Sequence, residues 1–504
     1  MKNFHSIIFL LTSLFSAAFQ AQISDTIMEK VREEYSGQRM FRNSINSNPA
    51  NISGARKYNI TTFKLTTEMT DTPNEIQQKG KGQTLWGAEA HSLQMLDKGT
   101  TVWGNASYTQ GKTKQVIWNE NADYNLIYPY VAADSVGGDM KFENYSFSGG
   151  YSKKVNSFTL GITGSYRASL SYRDTDPRPK NTSANFSLAL GANKLMFEKF
   201  RIGAYVEGEK YTQKHYLSFV SNQGYPVIYN MSGLGNYNEL LSGKLRRAYY
   251  EGWSYGGGIQ VFEAVNRNWF LNVGLKKFSL DKFLTEYTDL NASKIEEQRF
   301  TFSLGKFFTG RKLIWGVSAD GSSTERKGTE HLFLNENSRN YIQIGSAERY
   351  NHKMSTVMLK GLLQIEKADV KSSLIPFAGL IQEKEKYSNP LSAVEVNRMI
   401  YGADYQWLKT FSSNLGLSIA LGLSVTDVYK KSAVFNNAGK PSVNQMLQEN
   451  YAFQSSDFWQ AKLDVNFHFS FPVVKNAFAG GKMVYRNFQN GNNTLFAVTI
   501  GTVF

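Results

Sequence analysis

Six histidines and no cysteine stand among 504 residues, so the material for nucleophilic or metal chemistry is scarce. A thiolate metal site and a cysteine nucleophile are excluded outright. His5 lies in an apolar leader, His91 and His468 fall in segments that read as strands, and His215, His331 and His352 fall near expected loops. One grouping invites a catalytic reading, because Asp464, His468 and Ser470 share a strand face. Residues two apart on a strand are separated by about 7 Å, too far for a hydrogen-bonded proton relay. No nucleophile elbow, HExxH pair or paired-carboxylate motif stands out. We expect no enzyme, no metal and no cofactor.

Other polar residues gain interest from the face they occupy. Arg167, Arg173, Arg201, Glu207, Glu209, Lys462, Asp464, His468, Lys482 and Arg486 fall at inward positions of alternating segments. They either pair across strands and brace a filled lumen, or line a pore whose basic excess favours anionic solutes. Two long loops hold tyrosines: Tyr124, Tyr128 and Tyr130 in one, Tyr225, Tyr229 and Tyr237 in the other. A tyrosine offers a flat apolar face and a hydrogen-bonding tip, suited to sugars or protein partners, or to loops folding over one another.

The elements that position these residues follow from period-two alternation, which dominates after about residue 55. From Phe158 to Tyr172, one face carries Phe158, Leu160, Ile162, Tyr166, Leu170 and Tyr172, and the other only Thr, Gly, Ser and Arg167. Leu415 to Thr426 and Trp459 to Phe471 repeat the pattern. The small, polar second face and the length of these segments favour an apolar belt around a polar lumen over a soluble sandwich. Mean hydropathy of -0.39 agrees, since a barrel needs apolar residues only at alternate positions.

Gaps between segments alternate short and long. Short ones fall near Lys98, Asn156, Lys199, Asn266, Gly310, Asp369, Ser412 and Val474. Long ones cover residues 71–82, 112–140, 174–180, 219–245, 287–293, 329–349 and 431–452, while those near Asn389 and Gly491 are short out of turn. We expect an all-β fold: a single antiparallel transmembrane β-barrel of about 18 strands, with about 16 as the alternative. Most prolines sit in gaps, but Pro376 falls inside a strand, so a bulge or a shifted boundary is expected there.

The barrel is expected over residues 53–504, behind an export signal at 1–21 with Lys2 and the apolar run Ile7 to Ala18. Residues 22–52 do not alternate. Ser24 or Asp25 can cap a short helix through Arg32 and Tyr35, Asn46 to Ser53 reads as turns, and the piece either lies in the periplasm or plugs the barrel. The net charge of +14 is scattered along the chain without a basic run, which argues against nucleic acid.

The last segment ends with Phe496, Val498, Ile500 and Phe504 on one face, with Thr502 departing mildly. It resembles the C-terminal assembly signal of outer-membrane proteins, which implies barrel-assembly machinery and outer-membrane lipid as partners and the cell outer membrane as location. The whole chain resembles a large, uncharacterised outer-membrane barrel family of Bacteroidota. Asn48-Pro49-Ala50 is similar to the tripeptide that precedes the first strand of long-chain fatty-acid transporters, where the N-terminal segment plugs the barrel. Two functions follow as expectations. The first is a channel or transporter for a small or amphipathic solute. The second is a non-conducting structural or assembly barrel that engages envelope protein partners.

Overall fold

The computed structural model describes residues 27–504 except 57, 98, 222–223, 244–245, 288, 311, 338–339, 437–439 and 471–475. The export signal, the helix cap at Ser24 or Asp25 and the turn near Val474 lie outside the described residues.

Eighteen antiparallel strands make one wall. Each pairs with its neighbour in the chain, and the first, Ile60–Asp71, also pairs with the last, Gly491–Val503, from Thr62 opposite Val503 to Asp71 opposite Thr494. That pairing closes the barrel and leaves no wall strand with a free edge. The alternation sorts side chains as lipid contact would require. Phe158, Leu160, Ile162 and Tyr166 are exposed on the outside of their strand, while Thr159 and Ser171 are buried. Leu421 and Leu423 are exposed outward, whereas Ser418 on the opposite face is 1% exposed.

Several boundaries differ from the sequence reading. The wall begins at Ile60 rather than near residue 53. Residues 329–349 are not a loop but the upper part of a hairpin, Leu313–Asn337 and Asn340–Glu366, whose arms are 25 and 27 residues long. Its arms pair only with each other beyond Glu330 and before Tyr350. His215, His331 and His352 accordingly lie on strands. Pro376 neither bulges nor ends its strand. Gly361 with Leu362 and Ile375 with Pro376 are skipped only in the ladder between their own two strands, whose register otherwise continues, and each keeps its partner on the other side. A helix the sequence reading did not foresee, Pro441–Gln454, fills much of one long gap.

Residues ahead of the wall form helices Ile27–Glu34 and Gly37–Arg42, then tight turns at Asn43–Ser47 and Pro49–Asn51. This segment packs on inward-facing wall residues at the short-turn end. Phe41 and Ile45 share an apolar cluster with Phe262, Phe270, Phe307, Leu362 and Ile375. At the other end, residues 117–137 and the described parts of 219–243 fold together with the Pro441–Gln454 helix. Their small sheet of Ala132–Ala133, Tyr229–Gly233 and Asn236–Tyr237 and their apolar core cover the lumen as a cap.

Candidate functional site

The inner segment is seated by one tetrapeptide. Asn48, Ala50 and Asn51 are buried to within 1% of complete. The Asn48 amide donates to the carbonyls of Ala192 (3.2 Å) and Ala204 (3.1 Å), and its oxygen accepts from the Ala50 N–H at 3.0 Å. Asn193 donates to Asn51 Oδ1 at 2.8 Å and to the Ala50 carbonyl at 3.2 Å. This close approach needs glycine in the wall: a Cβ at Gly191 would run into Asn48, and one at Gly161 into Pro49 and Ala50. Nearer the chain start, the Glu34 carboxylate meets Arg39, Arg56 (2.7 Å) and the Tyr58 hydroxyl (2.8 Å). Burial alone would raise the Glu34 pKa, but hydrogen bonds and charge from Arg56 and Arg39 hold it below the ordinary carboxylate value.

Three carboxylates of the 117–137 loop meet the two inward arginines Arg167 and Arg173. Arg167 grips Asp123 through both terminal nitrogens, at 2.9 and 3.0 Å, and Ser183 and Tyr211 donate to the same carboxylate. Arg173 lies just past its strand, with its side chain wholly buried, 2.9 Å from Glu120 and 3.7 Å from Asp134. It does not line an open lumen, because the loop covers it. Burial and the adjacent Asp134 push the Glu120 carboxyl well up, against the pull of Arg173. Buried beside a second acid, Glu120 is the group that favours holding its proton.

Beneath the cap lies a cavity of about 360 Å³, within the usual range for small-molecule sites. Its cap wall includes Trp118, Tyr124, Tyr128 and Met446, and its barrel wall Glu297, Arg326, Tyr350, His352, Glu383 and Glu385. Arg326 bonds Glu297 at 2.7 Å and the backbone carbonyls of Asn125 and Tyr128, both at 2.8 Å, pinning the short turn that carries the tyrosines. Glu383 receives Arg398 at 2.9 Å and His352 at 3.1 Å. Glu385 accepts the Tyr128 hydroxyl. Ring centroids lie 5.2 Å apart for Tyr124 and Tyr128, and 5.8 Å for Tyr128 and Tyr350, the latter edge to face. Burial and then the Glu385 charge push the phenols of Tyr124 and Tyr128 well up, so both stay protonated donors.

The structure scatters the remaining sequence candidates. Glu207 and Glu209 meet Lys276 at 3.4 and 2.7 Å. Arg201 donates to Asn193 at 2.7 Å, and Arg486 to Gln460 at 2.7 Å. Asp464 accepts from Asn466 and stands opposite Lys482 in register, while Lys462 is exposed to the lumen. His468 is buried edge-on against Tyr35 of the inner segment, 6.0 Å between centroids. Only Tyr124 and Tyr128 among the loop tyrosines reach the cavity. Tyr130 and Tyr229 are buried in the cap core, Tyr237 meets Tyr229 edge to face, and Tyr225 is exposed beside Phe219. Gly252-Trp253-Ser254-Tyr255-Gly256 spells the letters of a nucleophile elbow, but lies within a strand where buried Ser254 donates to Glu209. Phe496, Val498 and Ile500 are exposed on the outer face, and Phe504 closes the last backbone pair with Thr61 at 2.7 and 3.0 Å.

These features define a closed β-barrel with an outward apolar belt, an occupied lumen and a capped cavity. The chain belongs to the family of unknown function DUF6850, whose model matches residues 49–504. No curated protein sequence matches it. Among solved structures it is similar to the ferric preacinetobactin receptor BauA of Acinetobacter baumannii, with 8% identity and a TM-score of 0.42 over 88% of this chain and 80% of that one. The copper transporter OprC gives 8% identity and a TM-score of 0.39 over 88% and 81%. The outer membrane transporter YddB from Escherichia coli gives 8% and 0.38 over 89% and 81%.

Proposed function

We propose that the protein is an outer-membrane transporter, closed at one end by residues 27–56 and at the other by the cap, with solute held in the cavity beneath the cap. The observation that carries this reading is the inner segment itself. It is seated on a glycine-lined strip of wall by hydrogen bonds to backbone carbonyls, contacts that can form or release without disturbing a wall ladder. The outward apolar belt supports a membrane address. An export leader, a Bacteroidota origin and insertion by barrel-assembly machinery belong to the same reading. The likeness of Asn48-Pro49-Ala50 to the fatty-acid transporters supports a plug role and leaves the solute open.

One observation favours the alternative of a non-conducting structural barrel with envelope protein partners: the cap has an apolar core of its own and is tied down by Arg167 and Arg173. Conductance in planar bilayers separates the two. Deleting Ile27–Asn51 alone should leave current low, because the cap remains. Deleting it together with replacement of residues 119–134 by a short Gly-Ser linker should produce a persistent open pore. A folded double variant that still passes no current overturns transport and leaves the structural reading.

A further inference from the structure

The ionic partnerships around the cavity are unequal. Arg326 is committed to Glu297 and two carbonyls, and Arg299 also reaches Glu297, at 3.3 Å. Arg398 and His352 are committed to Glu383. Lys79, the remaining basic side chain of the lining, is exposed. Among the described residues Glu385 has no basic side chain within ion-pair distance; the Tyr128 hydroxyl donates to it, and Tyr350 packs edge to face on Tyr128 in the same lining. A carboxylate ringed by Tyr124, Tyr128 and Tyr350 combines the two attractions that select an organic cation. The charge draws it electrostatically, and the negative ring faces hold it where water is scarce. The other walls, with Met354, Val394 and Leu447, suit an apolar body attached to that cation.

We propose that the cavity binds an organic cation, an ammonium or guanidinium carried on a small apolar body, with Glu385 as its counter-charge and the three tyrosines as its cage. The proposal rests on the reading of the cavity as a solute site and names the solute's class. It runs opposite to the anion preference expected from the basic excess of the inward-facing candidates, because the local pairing pattern sets the field inside a cavity.

Titration calorimetry on the purified full chain in detergent tests it, with benzyltrimethylammonium as the probe and benzoate and benzyl alcohol as anionic and neutral aromatic controls. The cation should bind and the controls should not. Glu385→Gln should weaken binding at least about tenfold. Met354→Lys, which keeps the carboxylate but offers it a tethered cation from the neighbouring strand, should abolish binding and still fold by gel mobility. Equal binding of benzoate, or undiminished binding in a folded Glu385→Gln or Met354→Lys variant, overturns the proposal. If the opened barrel conducts while no cation binds, transport stands and this site falls. If the cation binds while the opened barrel stays closed, the site stands and transport falls.

Discussion

Asn48 uses both ends of its amide to hold a turn against the wall, and Glu34 uses both oxygens to hold the helices behind it. The two anchors fail in different ways. At Gly191 any side chain displaces Asn48 from its carbonyls, so Gly191→Val should cost the seat about 2 kcal/mol, about thirtyfold in the unseated population. Glu34 acts through charge. Its pKa is depressed in the folded chain, so its contribution is present above the unfolded carboxylate value and is lost as pH falls through the lower folded value. Limited proteolysis of the inner segment reads both. Cleavage before Ile60 should accelerate in Gly191→Val at neutral pH, and in the unmodified chain only once pH falls below the ordinary carboxylate range. Cleavage that ignores both the substitution and acid would mean that the seat rests on the Phe41 and Ile45 cluster alone.

Strands differ in what each face tolerates. In Leu415–Val434, Ile419 faces out between Trp407 and Val465, and Ala420 faces in opposite Asp464. Ile419→Arg should cost about 2–4 kcal/mol in a urea titration of the vesicle-inserted protein, and Ala420→Arg clearly less, since an acid stands beside it. Ser418 is a poor comparator, because it is already buried, at 1% exposure. Equal penalties at Ile419 and Ala420 would mean that the outer face does not meet lipid. The same contrast explains what is legible in the sequence. Alternation marks the wall because one face is apolar and the other is not. Above the belt the apolar face gives way, so Thr329-Glu330-His331-Leu332-Phe333-Leu334 carries no period of two and the upper hairpin reads as loop. The cavity residues Glu297, Arg326, His352, Glu383 and Glu385 sit at that height, where inward charges look like any solvated charge. The cap helix does carry a signal: Pro441 at its start, then Val443, Met446 and Leu447 at helical spacing. The acids Glu120, Asp123 and Asp134 could be matched to Arg167 and Arg173 only once the loop's inward path is known.

For the molecule as a whole, closure depends on its first and last strands finding each other across more than four hundred residues of chain. Phe504 contributes one terminal backbone pair and an aromatic ring, little beside the ten wall pairs below it. If its role is to present the final strand for insertion, Phe504→Ser should reduce the folded, heat-modifiable fraction in the outer membrane several-fold. The molecules that do fold should melt within about 1 kcal/mol of the unmodified chain. A variant that inserts normally but melts early would assign Phe504 to stability instead of assembly.

Outside the wall, the tall hairpin obeys different energetics. Each wall strand is protected by two hydrogen-bond ladders, but each arm above Glu330 and Tyr350 is protected by one, and turns its other row of N–H and C=O groups to solvent. A lone two-stranded ribbon is at best marginally stable in water, so this one is held by its root and by Phe333 and Tyr341, which pack against the cap core, and opening an arm costs less than opening any stave of the wall. Leu334, Ile342 and Ile344 are exposed on these arms and contribute little burial to resist it. The protein is therefore mechanically lopsided: a stiff cylinder bearing, on one side of its outer rim, a single compliant spar.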